Sequence, residues 1–176
     1  MTGVTGRLPV LRDDHVLLRA MEPRDLPTLA AGAQDPDVIR WIGPAEGSPQ
    51  EILDQSHRRS AGGEPTFAIC ALDGTCVGKA WIGLRDGDRS IGYVGYWLLP
   101  ASRGRGLATS AVRLLSAWAV RDLGLTTVRL TTAPANERSQ RVAERAGFRL
   151  LGSRDAGDLA YELDRQVDLT NEGHRR

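Results

Sequence analysis

At residues 96–108 the chain reads Tyr96-Trp97-Leu98-Leu99-Pro100-Ala101-Ser102-Arg103-Gly104-Arg105-Gly106-Leu107-Ala108. An apolar, strand-like run ends at the proline, a loop with two glycines and two arginines follows, and a helix-like run extends from Ala108 to about Asp122. Glycines let a backbone approach an anion closely, and a helix start offers unpaired N–H groups at the positive end of the helix dipole. The segment therefore predicts a phosphate-binding loop at a strand-to-helix junction.

Two common kinds of phosphate loop are excluded by the residues of this segment. The Gly-Lys-Ser/Thr sequence of a nucleotide P-loop is absent from it. The dinucleotide fingerprint needs a third glycine three residues after the second, and this chain has Thr109 there. What remains is the pattern Arg103-x-x-Gly106-x-Ala108 behind a strand that ends at Pro100.

Hydrophobic periodicity on both sides of the loop predicts an α+β layered fold. Asp73-Gly74 is a strong hairpin turn, and the alternating runs around it predict an antiparallel meander. A right-handed crossover through the helix after the loop makes strands 91–99 and 126–132 parallel. The predicted strands cover residues 15–20, 66–72, 75–84, 91–99, 126–132, 148–153 and 159–163, and the predicted helices cover 23–32, 35–41, 49–60, 108–122 and 136–146.

The length and composition are typical of one globular domain over residues 1–176, with a loose lead-in at 1–13 and a loose tail at 165–176. The formal net charge of +1 gives no electrostatic case for binding nucleic acid or an anionic membrane. No apolar run reaches the length of about 18 residues that predicts a membrane span. A cytoplasmic location is expected.

Cysteine and histidine usage predicts neither a disulfide nor a metal site. Cys70 and Cys76 are spaced too widely for a Cys-x-x-Cys motif and are expected to be reduced core thiols. His15 and His57 lack paired ligand spacing. Lys79 is the single lysine among 23 basic residues, a bias that indicates a bacterium with a GC-rich genome.

Several further segments make the phosphate loop more specific, because they accompany it in a characteristic order. They are Leu17-Leu18-Arg19 with Pro23-Arg24-Asp25-Leu26, Gly95-Tyr96-Trp97-Leu98, Arg103 to Thr109, and Asn136-x-Arg138-Ser139 with Ala146-Gly147-Phe148. In this order and spacing the segments resemble those of the GNAT N-acetyltransferases. Nearly the whole chain is similar to the Rim-type branch of that family, which includes ribosomal-protein N-terminal acetyltransferases.

The resemblance implies a mixed, mostly antiparallel, twisted sheet of about seven strands, flanked by helices, in which a central parallel pair splays apart. It also implies acetyl-CoA as the acetyl donor, with no metal. The backbone of the loop would hold the CoA pyrophosphate, two arginines would add charge near the phosphates, and an asparagine would hydrogen-bond the pantetheine. The implied cofactor-binding residues are Leu98, Leu99, Arg103, Gly104, Arg105, Gly106, Leu107, Ala108, Thr109 and Asn136.

The implied reaction is direct attack of a neutral amine on the acetyl thioester in a ternary complex. Backbone N–H groups at Leu98 or Leu99 would stabilise the developing oxyanion. Ser139 matches the position at which Rim-type enzymes carry a serine proposed to act on the leaving thiolate. Other family members often place a tyrosine seven residues after the asparagine, and this chain has Ala143 there.

The general base is where this chain departs from the family pattern. Rim-type strands commonly read Glu-Ile-Gly-Tyr-Trp, and here Tyr93 stands in place of the glutamate. A tyrosine with its ordinary pKa of about 10 is a poor base at neutral pH. A carboxylate elsewhere would then serve as the base, and the candidates are Asp86 or Asp88 in the preceding turn, or Glu64. Otherwise the substrate amine would arrive largely deprotonated, or this family member has changed its chemistry. The candidate catalytic residues are Ser139, Tyr93 and Asp86.

The predicted activity is acetyl transfer to a primary amine, which is either a protein N-terminus or a small-molecule amine such as an antibiotic or a metabolite. The alternative from another class is a catalytically silent acyl-CoA-binding or sensing domain, which the tyrosine at position 93 supports. The expected partners are acetyl-CoA and the amine, without nucleic acid or membrane, and the chain is expected to be a monomer or a homodimer. The candidate acceptor contacts are Trp41, Trp81, Tyr96 and Tyr161.

Overall fold

A computed structural model describes residues 8–85, 88–153 and 157–164. Its centre is one eight-stranded sheet in which every neighbouring pair is antiparallel except β5 and β6. In chain order the strands are β1 (Leu11–Arg12), β2 (Leu17–Ala20), β3 (Thr66–Cys70), β4 (Cys76–Arg85), β5 (Asp88–Leu98), β6 (Thr127–Thr132), β7 (Arg149–Ser153) and β8 (Leu159–Asp164). In space they follow the order β1-β2-β3-β4-β5-β6-β8-β7. The predicted α+β class and the parallel central pair are confirmed.

The strand β1 is one more than the sequence predicts. It lies inside the lead-in at 1–13, where Leu11 pairs with Leu18 and Arg12 pairs with Leu17. Two residues are too few to show an alternating pattern, so periodicity alone does not detect a strand of this length.

In the described ranges five helices flank the sheet, and all five were predicted within one or two residues at most ends. They are α1 (Leu26–Gln34), α2 (Pro36–Ile42), α3 (Pro49–Ala61), α4 (Leu107–Arg121) and α5 (Glu137–Arg145). The first predicted helix differs at its start, where Pro23–Asp25 forms a separate 3-10 turn. The predicted cap of α3 is a full capping box, because the Ser48 side chain accepts from the Glu51 N–H and the Glu51 carboxylate accepts from the Ser48 N–H.

Each face of the sheet carries its own apolar core. On one face α4 packs through Leu115 and Trp118 against strand residues such as Phe67, whose ring meets the Trp118 ring edge-on at 5.4 Å. The core on the opposite face contains residues of α1, α2 and α3 together with Trp97 of β5. Both cysteines, which were predicted to be core thiols, are buried and unpaired by any disulfide.

The parallel pair β5 and β6 stays together over only three residues on each strand. Ile91 to Tyr93 pair with Thr127 to Arg129, and beyond them β5 remains paired with β4 while β6 remains paired with β8. The two strands therefore separate toward their carboxyl ends. This separation, which the family resemblance implied, opens the cleft in which the candidate site lies.

Candidate active site

The separated ends of β5 and β6 border a cavity of about 910 Å³ that is partly open to solvent. Its walls come from β5, the loop after it, the first turn of α4, β6 with the segment that follows it, the helices α2 and α5, and Asp158 just before β8. Most predicted site segments thus meet at one place. The predicted site residues that line this cavity are Trp41, Tyr96, Leu98, Arg103, Gly104, Gly106, Leu107, Ala108, Thr109, Asn136 and Ser139.

The glycine loop forms an open cradle at one end of the cavity. Gly104 and Gly106 have φ angles of +74° and +80°, which L side chains rarely adopt, and no atom lies within 4 Å of a Cβ built on either residue. The helix α4 starts directly after Gly106 without a side-chain cap. Its first N–H groups are therefore left for an anion, so the loop fits a pyrophosphate.

Arg103 lies in the same loop, but its guanidinium is held by protein groups. It donates to the Leu98 carbonyl at 2.9 Å and to carboxylate oxygens of Asp37 at 2.8 Å and Asp35 at 2.6 Å. Burial alone would raise the pKa of Asp35, but the hydrogen bonds from Arg103 and from the Val38 N–H bring that pKa below its ordinary value. Arg103 thus fastens α2 to the end of β5, whereas the neighbouring Arg105 is exposed at the tip of the loop.

The two predicted oxyanion donors at the end of β5 differ in whether their N–H groups are already hydrogen-bonded. The N–H of Leu99 already donates to the Val77 carbonyl of β4 at 2.9 Å, so the prediction is wrong for Leu99. Because backbone groups alternate in direction along a strand, the N–H of Leu98 points to the other edge, where β6 has moved away. Leu98 is therefore the residue whose N–H faces the cleft.

Three side chains meet on the opposite wall, at the start of α5. The Asn136 side chain caps this helix by accepting from the Ser139 N–H at 3.2 Å. The Tyr96 hydroxyl, which comes from β5, donates to Ser139 Oγ at 3.2 Å. Burial raises the pKa of Tyr96 to about 12, against the smaller and opposite effect of its hydrogen bond with Ser139. Tyr96 is therefore a protonated donor at neutral pH, and its predicted contact with the acceptor stays a prediction.

The residues considered as a base lie apart from the cavity or outside the described structure. Tyr93 is absent from the cavity wall and hydrogen-bonds Arg129, which in turn forms an ion pair with Glu162 at 2.7 Å. Glu64 pairs with Arg59 and accepts from the Leu84 N–H, so it has a structural partner on each side. Asp86 lies outside the described residues, and its predicted role stays a prediction.

Of the four predicted acceptor contacts, two line the cavity. Trp41 does so beside Arg40, whose guanidinium carbon lies 4.4 Å from the indole centroid. Tyr96 lines it as well, through the contact with Ser139 described above. The prediction is wrong for Tyr161, which is 1% exposed and packs in the apolar core. Trp81 lies outside the cavity wall, with the Lys79 ammonium 5.4 Å from its ring centroid.

Two carboxylates of the cavity wall were missed by the sequence analysis. Asp37 pairs with Arg103 at 2.8 Å and with Arg138 at 3.5 Å. Asp158, just before β8, has no ion-pair partner among the residues that the structure describes. Nothing in the local sequence marks Asp158, because its place depends on the pairing of β8 with β6.

The surroundings of the cavity are otherwise rich in arginine. The arginines in its wall are Arg40, Arg103, Arg138, Arg141 and Arg145. Guanidinium groups suit phosphates, so this wall is compatible with a polyanionic cosubstrate. Within the described ranges, no group of three or more His, Cys, Asp or Glu side chains is arranged to hold a metal ion. None of the helices in those ranges is long and apolar enough to cross a membrane.

Comparison with known proteins gives the same picture of the cofactor. A model of the acetyltransferase (GNAT) domain matches residues 15–149. The Bacillus subtilis protein YdaF, whose name assigns it provisionally to the ribosomal N-acetyltransferases, is 28% identical over 144 residues, covering 77% of this chain and 79% of that protein.

Solved structures extend the likeness to almost the full length. An acetyltransferase from Agrobacterium tumefaciens strain C58 has a TM-score of 0.76 and 26% identity, covering 94% of this chain and 99% of that one. The aminoglycoside acetyltransferase AAC(6')-Ib, in complex with coenzyme A, shares the fold with a TM-score of 0.75 at 22% identity, over 90% of this chain and 99% of that one.

Proposed function

The chain belongs to the GNAT acetyltransferases and uses acetyl-CoA, and on this premise we propose that its acceptor is the α-amino group of a peptide or protein N-terminus. The observation that carries the proposal is the small number of unpaired carboxylates in the cavity wall. Asp158 is the one lining carboxylate without an ion-pair partner in the described part of the chain, and a tyrosine stands where an acid was expected.

A scarcity of bases favours an amine that loses its proton easily. An α-amino group has a pKa of about 7.7–8.0, whereas a lysine side chain has a pKa of about 10.4. At pH 7.5 roughly a third of α-amines are neutral, against roughly one in a thousand lysine amines, by the same pKa values. An α-amine therefore needs far less help from the protein before it can attack the thioester.

The number of unpaired carboxylates also favours an acceptor with one positive charge. Asp37 already forms ion pairs with Arg103 and Arg138, so its negative charge is not available to balance a cationic acceptor. Asp158 can balance one ammonium group and, directly or through a water molecule, accept the proton that it releases. A polycationic acceptor such as an aminoglycoside would place further ammonium groups in a wall that offers arginines instead.

The remaining groups have defined tasks in the proposed transfer. The loop around Gly106 and the first turn of α4 would hold the pyrophosphate of acetyl-CoA. The Leu98 N–H would donate to the oxygen that becomes negative when the amine attacks. Ser139 would donate to the sulfur as its bond to the acetyl carbon breaks, and the ammonium proton would leave toward Asp158.

The proposal is tested by following release of free thiol from acetyl-CoA with a matched panel of acceptors. The panel contains a lysine-free peptide with a free N-terminus, the same peptide with a blocked N-terminus and one added lysine, and kanamycin. We expect turnover with the first peptide to exceed turnover with the other two by at least tenfold at pH 7.5. Preference for the lysine peptide or for kanamycin would refute the acceptor, and CoA binding without turnover would favour a silent acyl-CoA-binding domain.

A further inference from the structure

We propose that Tyr96 is a positioning residue that directs the hydroxyl hydrogen of Ser139 at the sulfur of CoA. The inference rests on the proposed function, because it assigns the leaving-thiolate step to Ser139. It adds to that function a second hydroxyl, that of Tyr96, which the sequence suggested only as a candidate acceptor contact.

The contact joins two elements on opposite sides of the cleft. Tyr96 lies on β5, three residues past the last residue that β5 pairs with β6, and Ser139 lies in the first turn of α5. The Tyr96 hydroxyl donates to Ser139 Oγ at 3.2 Å, and both side chains line the cavity. The hydrogen bond therefore crosses the cleft at the level where the two strands have separated.

The direction of this hydrogen bond determines where the serine hydrogen is available. A serine hydroxyl has one hydrogen and two acceptor positions, and the Tyr96 hydroxyl occupies an acceptor position of Ser139. The backbone N–H of Ser139 is bonded to Asn136, and in the described part of the chain Oγ has Tyr96 as its only partner. The hydrogen of Ser139 remains unassigned and free to donate into the cavity.

Tyr96 acts through Ser139 by hydrogen bonding and does not release its proton. Burial keeps Tyr96 protonated at neutral pH, since its pKa is raised to about 12. A thiol has a pKa of about 8.5, so transfer of the phenol proton to a thiolate would run uphill. When the C–S bond breaks, sulfur keeps the electron pair and accepts the Ser139 hydrogen bond. The proton that finally forms the thiol is supplied by the ammonium of the attacking amine, by way of the proposed base and solvent.

Position 143 on α5 carries no hydroxyl group that could contact Ser139. Ala143 lies one helical turn beyond Ser139, is fully buried and belongs to the same apolar core against which Tyr96 packs. Other family members often place a tyrosine at this position, and here the hydroxyl that contacts Ser139 comes from Tyr96 of β5 instead. A hydroxyl group is thus delivered to Ser139 across the cleft.

The test titrates the thiol of CoA in its complex with the intact protein, by the ultraviolet absorbance of the thiolate. A directed donor stabilises a thiolate, so we expect Ser139→Ala to raise the bound thiol pKa by roughly one unit. Tyr96→Phe should raise it by roughly half a unit, because an undirected hydroxyl shares its hydrogen among about three staggered directions. The Tyr96→Phe/Ser139→Ala double variant should match Ser139→Ala.

The charged neighbours of Ser139 do not change the comparison of bound thiol pKa values between the variants. Arg138 and Arg141 on the same helix, and Arg103 across the cleft, act on the thiolate equally in every variant. Ser116→Ala serves as the control, because Ser116 is fully buried in α4 and its hydroxyl has no hydrogen-bond partner among the residues that the structure describes. That variant should leave both the thiol titration and the affinity for CoA unchanged.

The possible outcomes separate this inference from the proposed function. Equal thiol pKa values in wild type and Tyr96→Phe, or additive effects in the double variant, would overturn the role of Tyr96 even if the enzyme acetylates α-amines. Failure to acetylate any free N-terminus would remove the proposed acceptor while leaving the titration result intact. A calorimetric measurement of CoA affinity in each variant shows that the site is still formed, and we expect changes of less than threefold.

Discussion

Replacing Gly106 with alanine tests the phosphate cradle directly. The residue has a φ of +80° and caps α4 with its backbone alone. Since no protein atom lies within 4 Å of the added Cβ, the methyl group causes no steric clash in the free protein. Its effects are therefore backbone strain and obstruction of whatever occupies the loop.

The two effects differ in size and in the measurement that detects them. A left-handed conformation costs a residue other than glycine about 1–2 kcal/mol, which is the expected loss of folding free energy. If the added methyl group removes even one charge-assisted hydrogen bond to the pyrophosphate, the binding free energy of CoA weakens by about 1.5–3 kcal/mol. At about 1.4 kcal/mol per tenfold change, the dissociation constant for CoA should rise roughly 10- to 100-fold.

A matched control separates strain from obstruction. Gly124, which follows α4 at its far end, has a φ of +73° and equally open space around its Cβ position. Gly124→Ala should lose the same folding free energy in urea denaturation while binding CoA as wild type in calorimetry at fixed salt. If Gly106→Ala also binds CoA with wild-type affinity, the loop is not the pyrophosphate site.

Three further predictions concern charged groups. Asp25→Ala should reduce the free energy of unfolding by about 3–5 kcal/mol in urea, because it leaves the buried Arg19 guanidinium without its bidentate partner at 2.7 Å; a loss below about 1 kcal/mol contradicts this. Burial alone would raise the folded-state pKa of Asp25 and of Asp35, but their hydrogen bonds bring both values below the ordinary one. The two carboxylates therefore contribute fully to stability above about pH 5, and this contribution is lost as the pH falls through the lowered pKa values. Urea midpoints that stay constant from pH 6 to pH 3 would argue against that linkage. Asp158→Asn should lower kcat about 10- to 100-fold at pH 7, with a smaller effect above pH 8, where α-amines are already neutral; a pH-independent deficit would exclude a role as base.

The helices and the glycine loop at the start of α4 were predictable because their signals are local. Ser48 and Glu51 form a capping box within four residues, and Gly106 and the first turn of α4 lie side by side in the chain. The hairpin at Asp73-Gly74 is equally local, and the turn it predicts joins β3 to β4. The helix starts and the hairpin are thus read correctly from a short window of sequence, and the phosphate-binding role of the loop stays a prediction.

The parts of the site that a local pattern does not determine depend on contacts between distant elements. Arg103 looks like a phosphate ligand in its loop, yet its partners Asp35 and Asp37 lie more than 60 residues away in the chain. Tyr161 is aromatic in a strand near the cleft, but the sheet turns its ring into the core. Asp158 enters the cavity wall only because β8 pairs with β6, which no local pattern reports.

The most direct measurement offers the protein a peptide with one free α-amine and one lysine, together with acetyl-CoA at pH 7.5, and locates the acetyl group by tandem mass spectrometry. We expect a single acetyl group on the N-terminal nitrogen, formed before any lysine is modified. Acetylation of the lysine side chain first, or of neither amine while kanamycin is acetylated, would contradict it.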